Sequence, residues 1–125
     1  MWRKTSYPSL MQQKVSRHSV QCSVLCAVQE RFLSALAALE PDLCVTAAYG
    51  NMLPQQLLDM PSFGTLNIHP SLLPRYRGAA PVNRCLENGD TVTGVSVAYT
   101  VLKCDAGPVL AQQEFTLQGN EQVWK

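Results

Sequence analysis

The chain has 125 residues, of which 46% are hydrophobic and 15% are charged. This composition fits one small globular domain and excludes a polar, disordered chain. Charged residues, proline or glycine interrupt every apolar stretch before it reaches the 18 or so residues of a membrane-spanning helix, so we predict no membrane association. The formal net charge is +1, but the part beyond residue 29 has six basic and nine acidic residues, which argues against a general nucleic-acid-binding surface.

Residues 1–29 differ in composition from the rest of the chain. They contain Arg3, Lys4, Lys14 and Arg17, several serines and no acidic residue. Such a segment is typical of a mitochondrial or chloroplast transit peptide, which is cationic and poor in acids. A variable extension of a cytoplasmic protein explains the same composition. We therefore predict a leader over residues 1–29 and a body over residues 30–125, with both interpretations of the leader open.

The five cysteines are odd in number and widely spread, at Cys22, Cys26, Cys44, Cys85 and Cys104. This pattern indicates reduced thiols rather than a disulfide framework. Only Cys22 and Cys26 lie close together, and neither a second cysteine pair nor a nearby histidine completes the usual four ligands of a zinc site. We predict no metal site.

The body alternates between helical and extended patterns. In chain order, the predicted elements are a helix (29–39), a strand (42–50), a short helix (53–58), a strand (64–70), a helix (80–87) and two strands (93–101 and 109–117). The first strand is a short apolar run without polar alternation, which predicts burial on both faces. The order predicts an α/β fold with an open, mostly parallel, Rossmann-like sheet.

Asn67 and His69 are the first candidates for chemistry. They lie two positions apart at the end of a predicted strand, so their side chains point to the same face. The carboxyl ends of strands are where open α/β sheets bind ligands. An amide donor beside an imidazole can stabilise an oxyanion and move a proton, as acyl transfer requires. A hydrogen-bonded structural pair is the alternative that this spacing leaves open.

Three further features are candidates for the same site. In residues 70–74, two prolines restrict the backbone on both sides of two leucines, which suits a loop that lines a flat apolar ligand. Arg77 can pair with a carboxylate or phosphate, and Gly78 permits close backbone approach, although a solvated surface arginine is the more common case without further context. Asp105, in a predicted loop between strands, can either hold a protonated His69 or cap its own turn.

Together these residues form a specific pattern. Asn67-Ile68-His69-Pro70-Ser71-Leu72-Leu73-Pro74, followed by Tyr76-Arg77-Gly78-Ala79-Ala80-Pro81, strongly resembles the folate-dependent formyltransferase family. The resemblance continues in Asn88-Gly89-Asp90, Thr93-Gly94-Val95 and Asp105-Ala106-Gly107-Pro108 and covers residues 30–118. It implies a partial Rossmann-like catalytic domain that lacks the first strands of the family fold. A sheet of this kind should expose Leu43, Val45, Leu66 and Ile68.

The resemblance also assigns roles. Asn67, His69 and Asp105 match the family's catalytic Asn, His and Asp; Ser71, Leu72, Leu73 and Pro74 match its tetrahydrofolate-binding loop; Arg77 and Gly78 fall where the substrate is expected. The implied reaction is attack of an amine on the formyl carbon of the cosubstrate 10-formyltetrahydrofolate. Asn67 and protonated His69 would stabilise the oxyanion, and Asp105 would keep His69 charged.

The sequence defines the substrate that accepts the formyl group less narrowly than the cosubstrate that donates it. Residues 75–82 are most similar to the tRNA-directed branch of the family, which implies initiator methionyl-tRNA as the substrate. Amino sugar nucleotides and glycinamide ribonucleotide are acceptors in other branches and stay open. A truncated, non-catalytic product is a further alternative, because the appended domain that helps to hold tRNA has no counterpart here. We predict no stable protein partner.

Overall fold

The computed structural model of the protein describes residues 30–121. In chain order the elements are α1 (Glu30–Ala38), β1 (Cys44–Ala47), α2 (Gln55–Leu58), β2 (Thr65–His69), α3 (Pro81–Glu87), β3 (Val92–Tyr99) and β4 (Val109–Thr116). All seven predicted elements are confirmed, with bounds that differ by up to three residues. The predicted leader, including Cys22 and Cys26, lies outside the described residues.

The strands form one four-stranded sheet in the order β1-β2-β3-β4. β1 and β2 are parallel, because α2 lies in the connection that carries the chain back to the same end of the sheet. β3 runs antiparallel to β2, and β4 runs antiparallel to β3. The α/β class is thus confirmed, and the sheet is mixed: one strand pair is parallel and two are antiparallel, where a mostly parallel sheet was predicted.

One prediction about β1 is wrong. The apolar run was expected to be buried on both faces, but the side chains of β1 alternate between half-buried and exposed positions. Val45 is 58% exposed. β1 pairs only with β2 in the described part of the chain, so it forms an edge of the sheet. The expected exposure of Leu43, Val45 and Ile68 is confirmed, whereas Leu66 is half-buried.

Buried side chains occur in two places. A small apolar cluster between α1 and α2 is built on Leu33, Leu53 and Leu57. The other buried set lies against one face of β2 and β3 and includes Leu73, Cys85 and Ala98. This second set also contains polar residues, among them His69, Ser71 and Ser96, which are at most 5% exposed. Since buried polar groups require partners, this region is where the structure holds its polar contacts.

Between residues 30 and 121, no helix combines the length and apolar character that a membrane span requires. The same part of the chain holds no group of three or more side chains suited to bind a metal ion. Cys44, Cys85 and Cys104 are free thiols.

Candidate active site

The Asp105 carboxylate contacts the other two predicted catalytic side chains, Asn67 and His69. Its Oδ1 accepts a hydrogen bond from Asn67 Nδ2 at 3.3 Å. Its Oδ2 lies 3.6 Å from Nδ1 of His69 and accepts the backbone N–H of Gly78 at 2.8 Å. Asn67 and His69 come from the end of β2, whereas Asp105 lies in the loop between β3 and β4. In the antiparallel register Tyr99 lies opposite Leu66, so β3 ends beside the start of β2, and the loop after β3 folds back along the sheet to bring Asp105 to Asn67 and His69.

His69 is buried between two oxygen acceptors. Its Nε2 lies 2.9 Å from the backbone carbonyl of Tyr76, which can only accept a hydrogen bond, so Nε2 carries a proton. Its Nδ1 faces the Asp105 carboxylate. The 3.6 Å contact is longer than a hydrogen bond and is an ion pair only when Nδ1 is protonated. Through Nε2, the imidazole is therefore arranged as a hydrogen-bond donor.

The amide of Asn67 is oriented from the neighbouring strand. Thr46 on β1 donates from its hydroxyl to Asn67 Oδ1 at 3.0 Å and also lies 3.2 Å from the carbonyl of Leu66. Because the amide oxygen faces Thr46, the amide nitrogen faces Asp105. Asn67 Nδ2 carries two hydrogens, and one of them is used by this carboxylate. The other is a donor that a ligand can use.

The backbone that places Asp105 is strained. Asp105 has φ of 43°, in the left-handed region that costs most non-glycine residues about 1–3 kcal/mol. Two residues later, Gly107 lies so close to the Tyr99 carbonyl that any Cβ would overlap it. Asp105 also accepts a bond from the Cys104 thiol, whose pKa is raised by lost solvation and further by this bond. The loop thus holds the carboxylate in a conformation that its own backbone does not favour.

The four residues of the predicted folate-binding loop differ in their exposure to solvent. Ser71 is fully buried, and its hydroxyl donates to the Arg75 carbonyl at 2.6 Å. Leu73 is also buried, Leu72 is half-buried, and Pro74 is exposed. The side chains of Ser71 and Leu73 therefore support the loop from inside, and Leu72 and Pro74 are the members with surface toward solvent.

The two residues predicted to bind substrate follow the turn at residues 73–76. Arg77 is exposed, and its carbonyl accepts a bond from Arg84 at 2.6 Å. Gly78 has φ of 81°, which favours glycine, and its N–H is the group that holds Asp105. Gly78 therefore contributes to the cluster through its backbone.

A second polar cluster anchors the segment between the 71–74 loop and α3. Asp90 accepts the Tyr76 hydroxyl at 2.7 Å and the Arg75 guanidinium at 2.9 Å. Asn88 donates to both Tyr76 and Asp90 at 3.2 Å. The hydrogen bond from Tyr76 is the main cause that lowers the pKa of Asp90. These contacts hold Tyr76 at φ of 56°, the conformation in which its carbonyl meets His69.

Sequence reasoning missed three residues that support the site. They are Thr46 on β1, Ser96 on β3 and Gln112 on β4, whose hydroxyl and amide groups bond to Asn67 or to the 71–74 loop. A signal for Ser96 was present in β3, where Gly94, Ser96 and Ala98 alternate with valines. This alternation places small or polar side chains on one face, which leaves room for a covering loop.

The fold and the cluster define a class of protein. An α/β sheet carries at the end of one strand an amide donor, a buried imidazole and a carboxylate that touches both. Hydrogen-bond donors at this position can stabilise negative charge that develops on an oxygen, and the carboxylate can balance the charge of a protonated imidazole. These are the functions that acyl transfer requires.

Comparison with known proteins identifies the family. The family model described as formyl transferase matches residues 5–123. The chain therefore belongs to the formyl transferase family. The match begins before Glu30 and includes most of residues 1–29, whose interpretation as a leader stays a prediction.

Named relatives agree with this assignment. Methionyl-tRNA formyltransferase of Acetivibrio thermocellus is 50% identical over 86 residues, which cover 69% of this chain and 28% of that protein. The enzyme of the same name from Staphylococcus epidermidis is 44% identical over 91 residues, or 73% of this chain and 29% of that protein. The chain thus spans less than a third of the length of these relatives.

A solved structure confirms the fold. Phosphoribosylglycinamide formyltransferase from Bacillus halodurans aligns with a TM-score of 0.67 and 28% sequence identity, over 74% of this chain and 47% of that one. The partial Rossmann-like formyltransferase fold is therefore shown by sequence and by structure.

Proposed function

We propose that this protein transfers the formyl group of 10-formyltetrahydrofolate to the amino group of initiator methionyl-tRNA. The observation that carries the proposal is the convergence of Asn67, His69 and Asp105, with Asp105 in contact with both of the others. The names of relatives at 44–50% identity support methionyl-tRNA as the acceptor. Residues 75–82, which resemble the tRNA-directed branch, support it independently.

The proposed donor fits the surface beside the cluster. When bound, 10-formyltetrahydrofolate supplies the formyl group and carries the carbonyl that the amine attacks. Its flat ring requires a rigid, partly apolar wall, and the 71–74 loop offers the exposed Pro74 and the solvent-facing part of Leu72, whose side chain packs against Gly94 of the sheet. The donors of Asn67 and His69 lie at the end of the adjacent strand. The residues present therefore suit a ligand with a flat ring and a polar reacting group.

Each residue of the cluster has a separate task in the proposed reaction. The free N–H of Asn67 donates to the formyl oxygen as it becomes negative, and the positive charge of protonated His69 stabilises the same oxygen. The bond of His69 Nε2 to the Tyr76 carbonyl holds the imidazole in place. Asp105 stabilises the charged imidazole and receives, through water, the proton that the attacking amine releases. When the tetrahedral intermediate collapses, the bond between the formyl carbon and the folate nitrogen breaks, and this proton passes to the folate nitrogen.

Glycinamide ribonucleotide is the second candidate acceptor. It is favoured by the fold comparison, because the Bacillus halodurans structure is named for this substrate. The identity to that protein is 28%, compared with 44–50% for the relatives named for methionyl-tRNA. Substrate choice within one fold depends on residues around the site rather than on the fold. The higher identity therefore favours methionyl-tRNA.

Competition between acceptors tests this proposal. The full-length protein is incubated with 10-formyltetrahydrofolate and equal concentrations of methionyl-tRNA, glycinamide ribonucleotide and an amino sugar nucleotide, and each formylated product is quantified by mass spectrometry. We expect formyl-methionyl-tRNA to dominate, and Asp105→Asn to abolish its formation. Preferential formylation of either small acceptor would assign the protein to another branch of the family.

A further inference from the structure

A row of polar side chains crosses the sheet beneath the 71–74 loop. In the strand register, Ser96 on β3 lies directly opposite His69 on β2, and Gln112 on β4 lies directly opposite Ser96. Directly opposite residues project to the same face, so Ser96 and Gln112 extend the row that starts at the proposed catalytic histidine. Ser96 is completely buried.

Ser96 is bonded to the loop at two points. Its hydroxyl donates to the Ser71 carbonyl at 2.6 Å and accepts the backbone N–H of Leu73 at 2.9 Å. The hydroxyl also accepts a bond from Gln112 Nε2 at 2.8 Å. One hydroxyl thus uses its single donor and both acceptor positions. No alternative rotation of this hydroxyl satisfies the same groups.

Gln112 completes the clamp from the next strand. Its Nε2 donates to the Leu73 carbonyl at 2.8 Å, in addition to the Ser96 hydroxyl. The N–H and the C=O of Leu73 are therefore both held by side chains of the sheet. At the neighbouring position on the same face, Gly94 leaves room for Leu72, because a Cβ at Gly94 would overlap the Leu72 side chain. The sheet is shaped to receive this loop.

We infer that Ser96 and Gln112 are positioning residues that fix the 71–74 loop in the shape that binds the formyl donor. This inference rests on the proposed function and names two residues that govern its donor site. The described contacts of the two side chains go to Ser71, Leu73 and each other, and none goes to Asn67, His69 or Asp105. Their loss should therefore weaken donor binding and leave the chemical step intact.

The expected size of the effect follows from the bonds that are lost. Ser96→Ala removes three hydrogen bonds, one donated to the Ser71 carbonyl and two accepted from the Leu73 N–H and Gln112 Nε2. We expect the KM and the Kd for 10-formyltetrahydrofolate to rise by about tenfold or more, with kcat at saturating donor within about twofold of the original value. Gln112→Leu, which keeps the bulk but cannot donate, should act in the same direction.

Two matched variants serve as controls. Ser96→Thr keeps the hydroxyl and should restore donor binding to within about threefold of the unmodified protein, since the hydroxyl is the group that bonds. Gln113→Leu changes the adjacent glutamine on β4, which is exposed, as Gln112 is, but projects to the opposite face and donates to the Glu114 carbonyl. It should leave KM and Kd unchanged.

The experiment measures steady-state kinetics and folate binding by fluorescence quenching for the full-length protein and these four variants. Thermal unfolding identifies any variant that is not folded. If Ser96→Ala fails to fold, the folate binding of Gln112→Leu tests the inference in its place. A raised KM and Kd with preserved kcat supports the inference. Unchanged donor binding in a folded variant overturns it, as does a fall in kcat at unchanged KM. If the unmodified protein itself binds no folate, the proposed function fails, and the inference fails with it.

Discussion

Asp105 Oδ2 lies 3.6 Å from Nδ1 of His69, although the whole of β3 separates the two residues along the chain. The same oxygen accepts the N–H of Gly78 at 2.8 Å. A carboxylate that is held by a backbone amide has a fixed position relative to the imidazole. The charge of Asp105 is therefore available to His69 without rearrangement, which is the condition for electrostatic stabilisation at low cost.

Replacement of Asp105 by Asn tests the role of that charge. The substitution keeps the size of the side chain but removes the negative charge that faces His69. We expect kcat to fall by roughly a hundredfold or more, with little change in the KM for 10-formyltetrahydrofolate. The measurement is initial-rate formylation at saturating donor and acceptor. Activity within about threefold of the original would show that the charge of Asp105 is not used in the reaction.

Removal of either group that stabilises the formyl oxygen, Asn67 or His69, should be equally damaging to the reaction. Losing one oxyanion donor typically costs about 2–4 kcal/mol in the barrier, so Asn67→Ala and His69→Ala should each slow formylation by about a hundredfold or more. Turnover is measured with both substrates saturating, and circular dichroism confirms that each variant is folded. Near-normal turnover by His69→Ala would refute the catalytic assignment of this residue.

Thr46 is expected to act through Asn67. Thr46→Val removes the hydroxyl that lies 3.0 Å from Asn67 Oδ1 and keeps the shape of the side chain. We expect kcat to fall by about tenfold, since a misoriented amide presents its oxygen to the reacting group in part of the molecules. Thr46→Ser, which keeps the hydroxyl, should restore most of the rate. Equal rates for the valine and serine variants would exclude this role.

Gly107 is expected to be necessary for the loop that carries Asp105. A Cβ at this position would overlap the Tyr99 carbonyl, so Gly107→Ala must move either the loop or the end of β3. We expect a loss of about 1–3 kcal/mol in the free energy of unfolding, measured by urea denaturation. Gly50→Ala is the matched control, because nothing lies within 4 Å of a Cβ there. Equal stability of the two variants would contradict the close approach.

The anchor at Asp90 predicts a pH dependence of stability. The hydrogen bond from Tyr76 lowers the pKa of Asp90 from its ordinary value of 3.8. A group whose folded pKa is lowered adds stability that is fully present above its unfolded pKa and is lost as the pH falls through the folded pKa. Thermal unfolding is measured between pH 2 and 6. The Tm of the original protein should exceed that of Asp90→Asn by an amount that grows as the pH rises through about 4. A constant difference across that range would exclude the linkage.

The seven elements were predictable because helix and strand patterns are local. Residues 29–39 showed helical spacing, Pro81 marked the first turn of α3, and β3 and β4 alternated, so α1, α3 and both strands form where expected. The common face of Asn67 and His69 followed from the same local rule, since strand side chains alternate. The role expected of Asp105 required the resemblance to a known family, because no local rule relates a loop aspartate to a distant histidine.

Only the tertiary structure decided which strands lie side by side, and the supporting residues depend on that choice. Thr46 reaches Asn67 because β1 lies beside β2, and Ser96 and Gln112 reach the 71–74 loop because β3 and β4 follow in that order and register. Strand pairing also made β1 an edge of the sheet, against the prediction that it is buried on both faces. Ser71, predicted to bind folate, has its hydroxyl bonded inside the loop. Periodicity along the chain determines which face a side chain occupies. What that face meets depends on contacts between residues far apart in sequence, which a single sequence specifies only through the folded structure.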